Sequence, residues 1–469
     1  MEKYKYLIKN MGLLTLSNFA TKILSFFLVP LYTAVLSTAD YGKYDFISST
    51  VGILIPILTI NIYEAVLRFA MDKDIDSKIV FSIGIELCLV GNFIVLSFLL
   101  TNHFITFSNI IEEYSLYFFL MFFVNSISGI MTSMARGTDK IRELSISSVM
   151  GSAISIFLNI LFLLILKIGL RGYFIANIIG VLIQNIYLLM MIKIKNDIIV
   201  NSDKLFVRKI MLRYSVPTIA NAIAWWINGL SDRYVVIYFC GIAANGIYSV
   251  AAKIPSILNI FQNIFSQAFM LSAVREFDID DKDGFFRKTF DSYNCLLVLL
   301  CSIIICFDKI LARYLYAKDF YVAWKYVPFL TISIIFGALS GYAGSIFAAL
   351  KKSEYFAKCS VVGAIANILM NIVLVPGIGP MGAAIATTIS YWMTYLVSMY
   401  YLNKCINLKI SIIRDNIAYL ILMIQSFSLL LFSNAILLQY GMQLLALIII
   451  LLIYNKKVMC LINKIKGGK

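Results

Sequence analysis

Long apolar runs, each closed by a short polar stretch, recur from one end of the chain to the other. A run of about 20 apolar residues is what an α-helix rising ~1.5 Å per residue needs to cross a hydrocarbon core of ~30 Å. About fourteen such runs are predicted, near residues 11–35, 45–70, 79–100, 114–135, 144–166, 172–192, 214–239, 246–271, 289–312, 326–350, 357–375, 381–402, 416–433 and 438–455. They lack the period-two alternation of a membrane β-barrel, and the polar stretches between them are too short to hide a soluble domain. The expected fold class is all-α and polytopic. Prolines in or near the runs, Pro30, Pro56, Pro217 and Pro255, predict kinks by removing backbone donors.

Composition agrees with the pattern. Of 469 residues, 61% are hydrophobic and 14% charged, which excludes an ordinary soluble domain. The net charge of +15 would suggest nucleic acid for a soluble chain, but its distribution points to membrane topology instead. With a cytoplasmic N-terminus, most of the 40 Lys and Arg fall on inside segments, "KIKNDIIVNSDKLFVRKIMLR" being the richest. Both termini are therefore expected in the cytoplasm, and no nucleic-acid partner is expected. One outside loop, with Lys309, Arg313, Lys318 and Lys325, runs against this sum. The N-terminal "MEKYKYLIKNMGLLTL" starts like a signal peptide, yet Lys22 interrupts the apolar run and no A-x-A site follows, so the first helix is expected to be retained. The eight cysteines are scattered without a C-x-x-C pair and read as small buried hydrophobes; His103 lacks partners for a metal.

The chain repeats itself. "GLRGYFIA" (169–176) returns as "GPMGAAIA" (379–386), and upstream of each stand Gly151 with Asn159 and Gly363 with Asn371, at the same spacing. A third echo pairs Gly42 and Tyr44 in "DYGKYDF" with Gly246 and Tyr248 in "ANGIYSV". All three fall at the same ordinal run of a six-run unit. The pattern predicts two parallel-repeat six-helix bundles, 1–200 and 201–405, around a central cavity, followed by two C-terminal helices and a basic tail in 406–469. Small residues at these spacings also read as helix-packing seams.

Charges inside the runs cost about 2.5–3.5 kcal/mol each at the bilayer centre and mark functional candidates. Lys22 lies near the expected midplane of the first run; Arg233 and Lys253 lie in the outer halves of the seventh and eighth. Glu64 and Arg68 have the i, i+4 spacing of an ion pair that Glu86 could join, and Asp232 precedes Arg233 on a different helical face. These four are the coupling or gate candidates, proton or sodium coupling being read at Glu64, Glu86 or Asp232. The deep charge is cationic on balance and suits an anionic ligand. No P-loop is present, and no cofactor is expected.

With "LSTADYGKYDF", "ARGTDKIRE", "GLRGYFIA" and, above all, "SVPTIANAIAWWINGLSDRYVVIYFCGIAANGIYSVAAKIP", the chain resembles the bacterial polysaccharide, or O-antigen, flippases of the multidrug/oligosaccharidyl-lipid/polysaccharide exporter superfamily. The resemblance implies a non-enzymatic flippase of the bacterial cytoplasmic membrane. It would move an undecaprenyl-diphosphate-linked oligosaccharide to the outer leaflet by alternating access, beside a polysaccharide polymerase and other assembly proteins. It also implies a cationic cavity, with Lys22, Arg233 and Lys253 as diphosphate-binding candidates; lysine serves as a point charge without arginine's fork. Asn18, Tyr44, Asn221, Trp225 and Trp226 are the sugar-contact candidates. Two rivals stand beside it. A cation-coupled multidrug exporter of the same superfamily would use Glu64, Glu86 and Asp232 as an acidic pocket, and a membrane polymerase would need a large outer loop that the sequence lacks.

Overall fold

The structure is a computed structural model. It describes the backbone of residues 2–192, 202–275 and 284–455 except Lys73, Phe107, Lys351, Asn407, Lys409 and Asn434, together with Asp281, Lys457 and Met459. The expected division at 200/201 and the basic tail from 460 onward lie outside the described residues. The helices are α1 (Glu2–Val35), α2 (Thr38–Leu58), α3 (Ile62–Ala70), α4 (Ser77–Ile105), α5 (Asn109–Glu113), α6 (Ser115–Gly137), α7 (Ile141–Ile160, continued by a π turn Leu161–Ile165), α8 (Leu170–Ile192) and α9 (Ser202–Cys240). There follow α10 (Ile242–Ala251), α11 (Ser256–Arg275), α12 (Phe285–Leu315), a 3₁₀ turn Lys318–Lys325, α13 (Val327–Ala349), α14 (Ser353–Ile378), α15 (Pro380–Cys405), α16 (Ile412–Leu431) and α17 (Ile436–Ile453). No strand occurs among the described residues.

Each of the fourteen runs is helical, and this is a multi-pass, all-α membrane protein. By length and apolarity, nine described helices could each cross a membrane, or ten if α2 and α3 count as one span bent by 61°. The helices that fall short include α1, α9 and the interrupted α10–α11, which carry Lys22, Asp232, Arg233 and Lys253. In α9 the adjacent Asp232 and Arg233 lower the hydropathy, whereas α10 is too short at 10 residues.

The chain forms two compact units, Met1–Leu230 and Ser231–Lys469, dividing within α9. In the N-terminal unit, α7 packs on α8 and α1, and α6 on α8, α3 and α4. Ser37 starts α2 with a capping box: its hydroxyl accepts from the Asp40 N–H at 3.1 Å, and Asp40 Oδ2 accepts from the Ser37 N–H at 3.3 Å. The bend after α2 places Ile60 and Asn61 at φ 57° and 49°, and Asn61 Nδ2 donates to Thr218 Oγ1 at 2.7 Å. The bend follows Pro56, whose nitrogen cannot donate to the helix ladder.

The two glycine motifs do more than pack. The first glycine of each copy, Gly169 and Gly379, has φ +68° and +62° and turns the chain between consecutive helices, a conformation that disfavours a Cβ. The second is a contact point: a Cβ on Gly172 would lie 2.8 Å from Phe162 Cβ, and one on Gly382 would lie 2.6 Å from the Leu374 carbonyl. Ala176 and Ala386 are fully buried beyond them. The expected seam is present, but its first residue belongs to a turn.

In the C-terminal unit, α13 packs on α15, α11 and α12, and the last two helices dock on α12 through a polar ladder. At one end, Arg414 Nη2 donates to Asp291 Oδ1 at 2.7 Å and Lys457 Nζ meets Asp291 Oδ2 at 2.9 Å. Next, Tyr419 donates to Asn294 Oδ1 at 2.9 Å; further along, Ser302 donates to Gln425 Oε1 at 3.0 Å. At the other end Lys309 Nζ donates to the Ser433 carbonyl and Gln439 Oε1, at 3.0 and 2.9 Å, and lies 4.6 Å from the Trp324 ring centre. Polar bonds of this kind hold apolar helices together where lipid removes the hydrophobic drive. They also engage Lys309, which the sequence pattern puts in an outside loop against the charge rule: it lies on α12, its ammonium tied to the Ser433 carbonyl, Gln439 and the Trp324 ring. Arg414→Ala should lower the thermal stability of the purified protein by about 2 kcal/mol. That lies below the ~3–5 kcal/mol of a fully buried pair because the arginine is partly exposed and Lys457 remains beside Asp291.

Candidate functional site

A polar centre gathers around Asp232. This residue lies on α9, is only 5% exposed, and is bonded by groups from two other helices. Tyr248 of α10 donates its hydroxyl to Asp232 Oδ2 at 2.5 Å, and Thr387 of α15 donates to the same oxygen at 3.3 Å. Oδ1 accepts the Arg233 N–H at 2.9 Å. Asn367 of α14 joins through its Nδ2, 3.5 Å from Thr387 Oγ1, while its Oδ1 accepts from Ser231 at 3.1 Å and from Asn371 at 3.1 Å. The Asn371 Oδ1 is fully buried and has no hydrogen-bond partner among the described residues. Carboxyl, amide and hydroxyl oxygens therefore converge within one unit, the donor chemistry of a hard cation or a proton. No group of three His, Cys, Asp or Glu able to hold a transition metal is present among the described residues.

The remaining candidates fall in separate places. Lys22 is in the N-terminal unit and exposed; Arg233 and Lys253 are in the C-terminal unit and partly buried. Lys253 sits in the turn Ala252–Pro255 that interrupts the eighth span, a break that puts irregular backbone beside a charge. Glu86 is engaged by Lys204, which also donates to Ser82 Oγ at 3.0 Å. Glu64 and Arg68 form no ion pair with each other among the described residues; Arg68 is exposed, 6.0 Å from the Phe69 ring centre. The spacing satisfies the local rule without a bond forming, and Glu86 takes its cation from α9 instead.

Tyr44 lies 4.5 and 5.1 Å from the ring centres of Tyr173 and Phe174, so "DYGKYDF" and "GLRGYFIA" meet in the N-terminal unit. Trp226 donates its indole N–H to the Ser49 carbonyl at 3.0 Å, anchoring α9 to α2 within that unit. Trp225 and Asn221 are exposed. The Asn18 side chain lies outside the described residues. Sequence reading had Asp232 but missed its partners Thr387 and Asn367. The available signal was the repeat, since Tyr248 and Asn371 had already been singled out as echoes.

Residues 7–271, more than half of the chain, match the polysaccharide biosynthesis protein family. The chain belongs to that family. It is 26% identical over 190 residues to the uncharacterized membrane protein MJ1068 of Methanocaldococcus jannaschii, covering 38% of this chain and 36% of that one. It is 20% identical over 204 residues to the probable low-salt glycan biosynthesis flippase Agl15 of Haloferax volcanii, covering 42% and 43%. The chain thus spans less than half the length of the curated relatives it matches. Its fold is similar to that of the lipid II flippase MurJ in an inward closed conformation, with TM-score 0.70, 15% identity and coverage of 95% and 99%. An inward-facing multidrug resistance MATE family transporter of the MOP superfamily follows, with TM-score 0.66, 14% identity and coverage of 83% and 94%. At these identities the likeness shows the fold.

Proposed function

We propose that this protein is a flippase that moves a polyprenyl-diphosphate-linked oligosaccharide, such as an undecaprenyl-linked O-antigen repeat unit, across the bacterial cytoplasmic membrane by alternating access. Family membership over residues 7–271 carries the reading. The fold shared with a lipid II flippase supports it. A sugar diphosphate loses its hydrogen bonds in hydrocarbon, whereas a polyprenyl tail gains about 0.8 kcal/mol per buried CH₂ by staying there. The head therefore needs a protein path and the tail does not. Lys22, Arg233 and Lys253 are the cations on spanning segments that would receive the diphosphate, with both termini in the cytoplasm. Asp232 and its ring of oxygens would take a sodium ion or a proton whose movement drives the cycle. The exporter alternative loses one of its three carboxyls to the Glu86–Lys204 contact.

Lys22→Ala, Arg233→Ala and Lys253→Ala, made singly in a strain lacking its own flippase, test the reading. Each should reduce surface polysaccharide at normal protein level, by on the order of tenfold for a lost charge-assisted hydrogen bond of ~1.5 kcal/mol or more. Full complementation by all three removes the diphosphate site.

A further inference from the structure

The N-terminal unit holds a cavity of about 240 Å³, lined among others by Leu28, Tyr44, Ser152, Ser155, Asn177 and Gln184. Its frame is the twin of the Asp232 centre. The offset of 204 that carries Tyr44 onto Tyr248 carries Leu28 onto Asp232. The offset of 212 that carries Asn159 onto Asn371 carries Ser155 onto Asn367, and the offset of 210 that carries Gly172 onto Gly382 carries Asn177 onto Thr387. The bonding repeats as well. Asn159 Nδ2 donates to the Ser155 carbonyl at 2.8 Å, as Asn371 Nδ2 does to that of Asn367. Ser155 Oγ meets Asn177 Oδ1 at 3.2 Å where Asn367 Nδ2 meets Thr387 Oγ1.

One difference separates the twins. The carboxyl of Asp232 is replaced by the buried side chain of Leu28, and no Asp, Glu, Lys or Arg is among the residues that line the cavity. What remains is neutral hydrogen-bonding capacity. Among the described residues, Ser48 and Ser152, which have hydroxyls, and Gln184, which has an amide, meet no hydrogen-bond partner, although all three line the cavity. The buried Asn159 Oδ1 beside Ser155 is also unpartnered. Unengaged neutral donors and acceptors suit a hydroxyl-rich ligand and give a bare ion no compensating charge. The volume fits about eight waters at ~30 Å³ each, or one monosaccharide, but not an oligosaccharide.

We propose that this cavity is a binding site for a single uncharged sugar residue, built on the frame that holds an acid in the other half of the molecule. The choice of a sugar rests on the flippase reading above; the neutral character of the site rests on its lining alone. The duplicated frame has thus diverged, one copy keeping a charge and the other hydrogen-bonding only.

Saturation-transfer NMR on the full-length protein in detergent micelles tests this, with the methyl glycosides of glucose and N-acetylglucosamine as neutral probes and glucuronate as the charged one. A neutral probe should receive saturation, glucuronate should receive at least fivefold less, and both Gln184→Leu and Ser152→Val should cut the neutral signal at least fivefold. Gly52→Ala, outside the cavity lining and with open space around its Cβ, should leave it unchanged. The two cavity variants replace different helices' side chains, so misfolding of one leaves the other as the test. Absence of transfer from both neutral sugars, equal transfer from glucuronate, or undiminished transfer in both variants overturns the proposal. If polysaccharide export by the wild-type protein is intact in the same strain background, that result leaves the flippase reading standing; loss of export activity as well would bring both down.

Discussion

Asp232→Asn should slow ion-driven transport roughly 10- to 100-fold while leaving the amount of folded protein unchanged. The substitution keeps the shape of the side chain and an oxygen to accept the Arg233 N–H, which now lies at 2.9 Å. Its new amide faces Tyr248 and Thr387, whose hydroxyls can turn to accept instead of donate. Packing therefore survives, and only the carboxyl is removed. A hydrogen bond to a charged group is worth about 1.5–3 kcal/mol, so a cycle that depends on this carboxyl should slow by on the order of 10- to 100-fold. Stability should not fall, since a charge on a side chain that is 5% exposed carries a desolvation cost that the amide lacks. The measurement is transport of a lipid-linked glycan into proteoliposomes under a sodium gradient and, separately, a pH gradient. The wild-type protein should respond to one of them, and the variant to that same one at the reduced rate. A variant that keeps the wild-type rate and ion response would take Asp232 out of the coupling step.

Thr387→Val provides a graded companion to that experiment. It removes the weaker of the two hydroxyls on the same oxygen and leaves the 2.5 Å contact from Tyr248. The expected loss is smaller than for Asp232→Asn, about 1 kcal/mol for one modest hydrogen bond.

The sequence carried the fold because lipid imposes one requirement, a helix-length apolar run, and the chain repeats that requirement without interruption. Each of the fourteen runs is accordingly helical. What pattern alone could not supply was tertiary pairing. Glu64 and Arg68 satisfied the local spacing rule, yet Glu86 rather than Glu64 acquired a partly buried cation, because Lys204 reaches it from 118 residues away. Likewise the Asp291–Arg414 bond spans 123 residues and leaves no periodic trace in either helix. Once the structure gathers Tyr248, Asn367 and Thr387 at Asp232, the repeat maps them onto Tyr44, Ser155 and Asn177 and identifies Leu28 as the site of divergence in the other half.

Gly180→Leu should be the most damaging single change in the N-terminal unit. Here α7 and α8 touch backbone to backbone: a Cβ on Gly180 would stand 2.8 Å from the Gly151 carbonyl oxygen and 2.8 Å from Ser155 Cβ, and one on Gly151 would stand 2.7 Å from the Gly180 carbonyl oxygen. A carbonyl oxygen cannot rotate away as a side-chain end can, so the helices must separate, and with them the Ser155–Asn177 bond that joins α7 to α8 beside the cavity. Overpacking of this sort costs about 1–3 kcal/mol for a single added group and more for a branched side chain. At ~2–4 °C per kcal/mol for a unit of this size, Gly180→Ala should melt several degrees below wild type, and Gly180→Leu further still. Gly52→Ala is the contrasting case, with open space around its Cβ and an exposed position within α2. Alanine's better helix propensity, worth ~1 kcal/mol, should leave it at or above the wild-type melting temperature. Equal melting of Gly180→Leu and Gly52→Ala in the same detergent would show that the α7–α8 contact is not where the unit derives its stability.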